Sequence, residues 1–144
     1  WTKTGENNLN HLSVLAIDID DFKAVNDRYG HLSGDSIIQS FSNLCKKYTR
    51  ENDVLGRIGG EEFLFIYPDT SPAESEKIAR QLLQAIEDKI FILPSGKTIN
   101  ITISMGICHQ RTPRLSASEL YREADQALYL SKGQGKNRLN AATG

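Results

Sequence analysis

The segment Leu12–Ile19, LSVLAIDI, limits the folds open to this chain more than any other stretch. It is a mostly apolar run without the alternation of a strand that has one wet face. Such a run is a strand buried on both sides, so the sheet it belongs to needs cover on both faces. The rest of the sequence supplies that cover. DDFKAVNDRYG reads as a short helix capped by Asp20 or Asp21 and stopped by Gly30. In SGDSIIQSFSNLCKKYTREN the apolar residues fall at 37, 38, 41, 44, 45 and 48, which is helical spacing. SPAESEKIARQLLQAIEDK is a helix with Ser71 as cap, Pro72 at the first position and Glu74 completing a capping box. SASELYREADQALYLSKGQG is a helix between Ser116 or Ser118 and Gly133. DVLGRIGGEEFLFIYPD reads as a hairpin turning at Gly59-Gly60. IFILPSGKTINITISMGICH reads as a second hairpin, turning at Pro94-Ser95-Gly96, and KNRLNA as a strand that closes the sheet. Hairpins mixed with helices give an α+β class: a central, mostly antiparallel sheet flanked by helices.

A length of 144 residues suits one domain with its own core. The polar opening, WTKTGENNLN, is expected to be a helix end or loop, so residues 1–11 read as a linker and 12–144 as the domain. A net charge of −1, from 17 basic and 18 acidic side chains, excludes a surface built for a nucleic acid polymer. Cys45 and Cys108 have no metal-ligand spacing and read as reduced and buried. No apolar run approaches the ~20 residues that span a bilayer, and no signal peptide is visible. The expectation is a cytoplasmic segment without membrane contact. A first residue of Trp1 and not Met suggests a piece of a larger protein.

Four groups of polar residues carry possible chemistry. Asp18 and Asp20 end the buried strand, and Glu61 and Glu62 sit in the Gly-Gly hairpin turn. Should the two strands be neighbours, Asp18 and a glutamate converge, and clustered carboxylates repel unless a cation lies between them. Hard oxygen ligands with open positions suit Mg²⁺ or Mn²⁺, and two such ions serve an in-line phosphoryl displacement. The plainer reading makes Asp20 or Asp21 a helix cap, which is preferred for Asp20, and the glutamates a solvated turn. For Asp18 with Glu61 the pattern leaves both readings open. SKGQGKN places Lys132 and Lys136 four residues apart. It lacks the P-loop pattern and follows a helix instead of preceding one. Lysines at a helix C-terminus are also favoured by the dipole, so a triphosphate clamp competes with a simple cap. Asn26 and Asp35, around a Gly-bounded loop, have the groups to read guanine, but spacing alone favours turn chemistry. Arg50 and Asp53 read by spacing as a surface ion pair worth about 0–1 kcal/mol.

Together and in this order, IDIDDFKAVNDRYGHLSGD, RIGGEEF, ITISMGI and ADQALYLSKGQGKNR resemble the GGDEF family of diguanylate cyclases. The resemblance runs from about Leu12 to Leu139, and GGEEF is an accepted form of the family signature. It implies the palm-like fold of that family and condensation of two GTP molecules into cyclic di-GMP and two pyrophosphates. It implies that Asp18, Glu61 and the carbonyl of Ile19 hold two Mg²⁺ or Mn²⁺ ions. Glu62 would assist the metal or the attacking hydroxyl. It further implies that Asn26 and Asp35 read guanine, and that Lys132 and Lys136 clamp the triphosphate with backbone amides around Phe22 and Lys23. Gly59 and Gly60 would let the turn approach the nucleotide, and Arg50 with Asp53 would form a product-inhibition site. The implied partners are GTP, cyclic di-GMP, a second GGDEF domain and an upstream sensor or dimerisation domain. The D-x-L-T-G-L-x-N-R segment with which family domains usually begin is absent here, so a truncated output domain is expected. Two alternatives stand beside the cyclase: a nucleotide sensor without catalysis, opposed by the retained signature residues, and a cyclase acting on ATP, opposed by Asp35.

Overall fold

A computed structural model of the chain describes residues 11–143; the expected loop or helix end over residues 1–10 lies outside the described residues. The elements are β1 (Leu12–Ile19), α1 (Phe22–Tyr29), α2 (His31–Lys46), β2 (Val54–Arg57), β3 (Glu62–Pro68), α3 (Pro72–Asp88), β4 (Phe91–Ile92), β5 (Thr98–Ile99), β6 (Ile103–His109), α4 (Ala117–Gly133) and β7 (Arg138–Ala141). All eight residues of β1 are buried, as its sequence requires. It is the middle strand of a five-stranded sheet ordered β2-β3-β1-β6-β7. Every pairing is antiparallel except β6 with β7, which is parallel. The fold is therefore α+β around a mixed sheet.

Alternation along the strands sorts side chains to two faces. Leu15, Ile17 and Ile19 join Phe63, Phe65, Ile103 and Met105 in the larger core, closed by Phe22, Ile37, Phe41, Leu82 and Ile86 from α1, α2 and α3. Leu12, Val14 and Ala16 face the other way with Leu64, Ile66 and Cys108, under Leu120, Ala124 and Leu128 of α4. Gly106 makes that second layer close. A β-carbon there would come within 2.1 Å of the Leu128 nitrogen and 2.2 Å of the Ala124 oxygen. Cys45 and Cys108 are both free and buried.

Four local expectations are corrected. The second hairpin is only β4 and β5, a separate two-stranded sheet. The run Ile103–His109 leaves it to pair with β1. A central strand needs hydrogen-bond partners on both edges, and β3 fills only one. Helix α2 begins directly after Gly30, whose φ is 92°, so no loop separates the helices that carry Asn26 and Asp35. Ser71 caps α3 by accepting from the Glu74 amide, but the Glu74 carboxylate turns to Arg50, so the box is half made. The complete box is on α4, between Ser116 and Glu119. Finally, Asp21 stands before α1 with φ 56° and makes no side-chain cap bond.

Candidate active site

The sheet register brings the acids together. Asp18 on β1 is directly opposite Glu62 on β3, and the Ile19 amide donates to the Glu61 carbonyl at 3.2 Å. Residues of even number on β1 and β3 face α4, so Asp18 and Glu62 share that face with Lys132, whose Nζ donates to Asp18 Oδ2. The turn before Glu61 is held by Arg57, whose guanidinium donates to the carbonyls of Gly59 and Gly60, the shortest contact being 2.6 Å. A β-carbon on Gly59 or Gly60 would meet nothing within 4 Å, and neither residue is in the left-handed region. The chain's own packing does not require glycine there; the space above the turn is open.

The cluster carries excess negative charge. Burial pushes the Asp18 carboxyl above the ordinary range, against the pull of the Lys132 ammonium. Burial and then the Asp18 charge push Glu61 up. Burial and the neighbouring Asp125 do the same for Glu62. Asp18 Oδ1 is buried without a hydrogen-bond partner among the described residues. An unsatisfied buried oxygen beside crowded carboxylates suits a hard cation. Among the described residues no three His, Cys, Asp or Glu side chains close around one point, so an ion would take ligands from outside the chain as well.

Asp20 is not a cap. Its carboxylate accepts from Thr102 Oγ1 at 2.7 Å, Ser104 Oγ at 2.6 Å and the Asn137 amide at 3.1 Å. It thereby ties the end of β1 to the loop after α4. In that loop Gly135 has φ 122° and Lys136 φ 67°, and Lys136 Nζ donates to Asp21 Oδ1 at 2.6 Å. Both lysines therefore lean on acids at the end of β1 instead of capping α4.

Phe22 and Asn26 of α1 meet Gly34 of α2, the residue before Asp35. A β-carbon on Gly34 would lie 1.8 Å from Asn26 Oδ1 and 3.1 Å from Phe22 Cζ, so glycine is what lets these helices close. Asn26 Oδ1 is buried without a partner among the described residues, and Asp35 on α2 is exposed. The first α1 bond runs from the Val25 amide to the Asp21 carbonyl. That leaves the Phe22 and Lys23 amides outside the helix ladder. The Lys23 side chain points elsewhere, to Asp27 at 3.0 Å.

Arg50 and Asp53 are not a loose surface pair. Arg50 Nε and Nη2 grip the two Asp53 oxygens at 3.0 and 2.9 Å, and the Asp53 side chain is 1% exposed. Thr70 and Glu74 take further guanidinium donors. A shallow cleft beside them is lined by Glu51, Asn52, Pro68 and Asp69. This group is not joined to the acids by any hydrogen bond among the described residues. Sequence reasoning passed over Tyr121, whose hydroxyl donates to Glu62 Oε2 at 3.3 Å, and Asp125 beside the same carboxylate. Their spacing with Lys132, four and seven residues, would have placed all three on one helix face.

The family described as diguanylate cyclase, GGDEF domain, matches residues 1–138. Diguanylate cyclase A of Treponema denticola is 41% identical over 128 residues, covering 89% of this chain and 34% of that protein. The chain thus spans about a third of that relative's length. The GGDEF domain of DgcB from Caulobacter crescentus, solved in complex with c-di-GMP, superposes with a TM-score of 0.87 at 28% identity, over 92% of this chain and 78% of that one. The active GGEEF domain of a diguanylate cyclase from Vibrio cholerae gives 0.85 at 30% identity, over 94% and 85%. With a family match over most of its length and the fold of those solved domains, this chain belongs to the GGDEF domain family of diguanylate cyclases.

Proposed function

We propose that this domain is one half of a working diguanylate cyclase. It binds one GTP with divalent cations and joins it to a second GTP held by another copy, releasing two pyrophosphates and cyclic di-GMP. The observation that carries the proposal is the in-register pair Asp18 and Glu62 with Glu61 adjacent, an orphaned Asp18 oxygen, and Lys132 reaching in from α4. Asp18, Glu61 and the Ile19 carbonyl would hold Mg²⁺ or Mn²⁺, two ions per site. When bound, these ions supply positive charge that acidifies the attacking hydroxyl and steadies the leaving pyrophosphate. Lys132 and Lys136 exchange their carboxylate partners for triphosphate oxygens. The free amides of Phe22 and Lys23 donate to the same phosphates, as helix N-termini do. Asn26 Oδ1 accepts from a guanine N–H, and the exposed Asp35 carboxylate accepts from the ring N–H and the exocyclic amine. The open space over Gly59 and Gly60 admits the nucleotide close to the backbone. Glu62 takes up the proton of the attacking ribose hydroxyl.

Arg50 and Asp53 fit a second role. A fork already ordered by Asp53, Thr70 and Glu74 is prepared to contact guanine and phosphate of the product at low entropic cost, which makes this pair an inhibitory site. GTP as substrate implies a cytoplasmic domain, driven by an upstream sensor or dimerisation module. Among the described residues no helix is long and apolar enough to cross a membrane.

The test is to fuse the domain to a strong dimeriser, supply GTP or ATP with Mg²⁺ or Mn²⁺, and identify products by mass spectrometry. The expected result is cyclic di-GMP from GTP and no cyclic product from ATP. Failure of GTP to yield the cyclic dinucleotide would refute the reading, and equal use of ATP would refute Asp35 as a guanine reader.

A further inference from the structure

The α4 helix does more than deliver Lys132. Tyr121, Asp125 and Lys132 lie four and then seven residues apart, so they form one stripe along the helix. The lower end of that stripe reaches Asp18 through Lys132. The upper end reaches Glu62 through the Tyr121 hydroxyl at 3.3 Å, with the Asp125 carboxylate close by. Close packing against Gly106 seats the helix firmly enough to fix both ends at once. Glu62 begins β3, where the hairpin turn ends, so the strand holds its backbone. Its carboxylate needs another restraint, because a Glu side chain has three rotatable bonds. The Tyr121 hydroxyl, which donates to Oε2, supplies that restraint.

Resting on the cyclase reading above, we propose that Tyr121 is a positioning residue for the reaction: its hydroxyl holds Glu62 Oε2, which aims the other oxygen at the attacking ribose hydroxyl. In the step it serves, a new bond forms between the ribose oxygen and the α-phosphorus of the facing nucleotide. The bond from that phosphorus to pyrophosphate breaks, pyrophosphate carries off the electron pair, and the hydroxyl proton passes to Glu62. Tyr121 touches neither nucleotide nor reacting atoms; it acts through Glu62.

Tyr121 also lines an apolar groove with Leu64, Ile66 and Leu120, so its ring has a packing role that must be separated from its hydroxyl. Tyr121→Phe keeps the ring and removes only the donor. The experiment uses the dimeriser fusion and compares wild type, Tyr121→Phe, and Tyr121→Phe combined with Asp125→Asn. Loss of one hydrogen bond to a charged group should lower kcat about tenfold and leave KM for GTP within about twofold. The melting temperature should stay near that of wild type. In the double variant the new amide stands where it can donate to Glu62, so kcat should rise again above the single variant. An unchanged kcat in Tyr121→Phe would overturn the proposal. So would a fall that appears in KM or melting temperature alone, or one that Asp125→Asn does not relieve. These outcomes presuppose a wild-type fusion that makes cyclic di-GMP; if it makes none, the functional reading falls and this inference with it.

Discussion

Glu61 bears a charge that the folded chain opposes. Burial and the Asp18 carboxylate hold its folded-state pKa above the ordinary value, so its contribution to stability is present at low pH and lost as pH rises through that raised pKa. Glu61→Gln removes the charge at nearly constant volume. Without divalent cations, the variant should therefore gain stability relative to wild type as pH climbs from the acidic range to neutrality. Adding Mg²⁺ at neutral pH should raise the melting temperature of wild type and leave the variant nearly unmoved, while cyclisation is abolished. Melting curves across pH, with and without Mg²⁺, check this; a variant that responds to Mg²⁺ as wild type does would remove Glu61 from the ligand set. The meeting of Asp18 with the glutamates was half legible in the sequence: strand periodicity and a tight turn fix where such side chains emerge, but that β1 and β3 are neighbours comes from the fold. The role of Asp20 was not. Its side-chain partners Thr102 and Ser104 are 82 and 84 residues away, a distance over which local pattern carries no information.

The contact between β6 and α4 is a close seam between backbones. At Gly106 any β-carbon would collide with helix backbone, which cannot swing aside as a flexible side chain could. Gly106→Ala should cost about 1–3 kcal/mol or more as α4 is pushed from the sheet. GTP binding should weaken with it, because Lys132 travels on that helix. Chemical denaturation and calorimetry measure both; an alanine variant with wild-type stability would show that the seam can relax. At this scale the sequence was informative where periodicity is long. The run of β1 and the helices over Pro72–Asp88 and Ala117–Gly133 stand where their caps and apolar spacing put them. It was misleading at the second hairpin, since β4 and β5 do form one but the decisive pairing of Ile103–His109 is with β1, far off in the chain. It was misleading again at Gly30, a helix stop that is also the start of the next helix, so the loop expected between Asn26 and Asp35 is absent. Nor did spacing reveal that Asp53 is buried, because the Thr70 and Glu74 that join Arg50 come from beyond β3.

The molecule gathers Asp18, Glu61, Glu62, Lys132 and Lys136 around the end of β1, and on the proposed cyclase reading the site on one copy would hold one nucleotide. On that reading, a product made of two linked nucleotides requires two copies with these ends face to face. Rate per domain should depend on how often two copies meet, and tethering should remove that dependence by raising the local concentration toward the mM range. The direct measurement is cyclic di-GMP formed per domain across a dilution series of the unfused domain and of the dimeriser fusion, with mass followed by light scattering. The account predicts a rate per domain that falls steeply on dilution of the unfused protein and stays level for the fusion. A level rate for an unfused protein that scatters light as a monomer would contradict it.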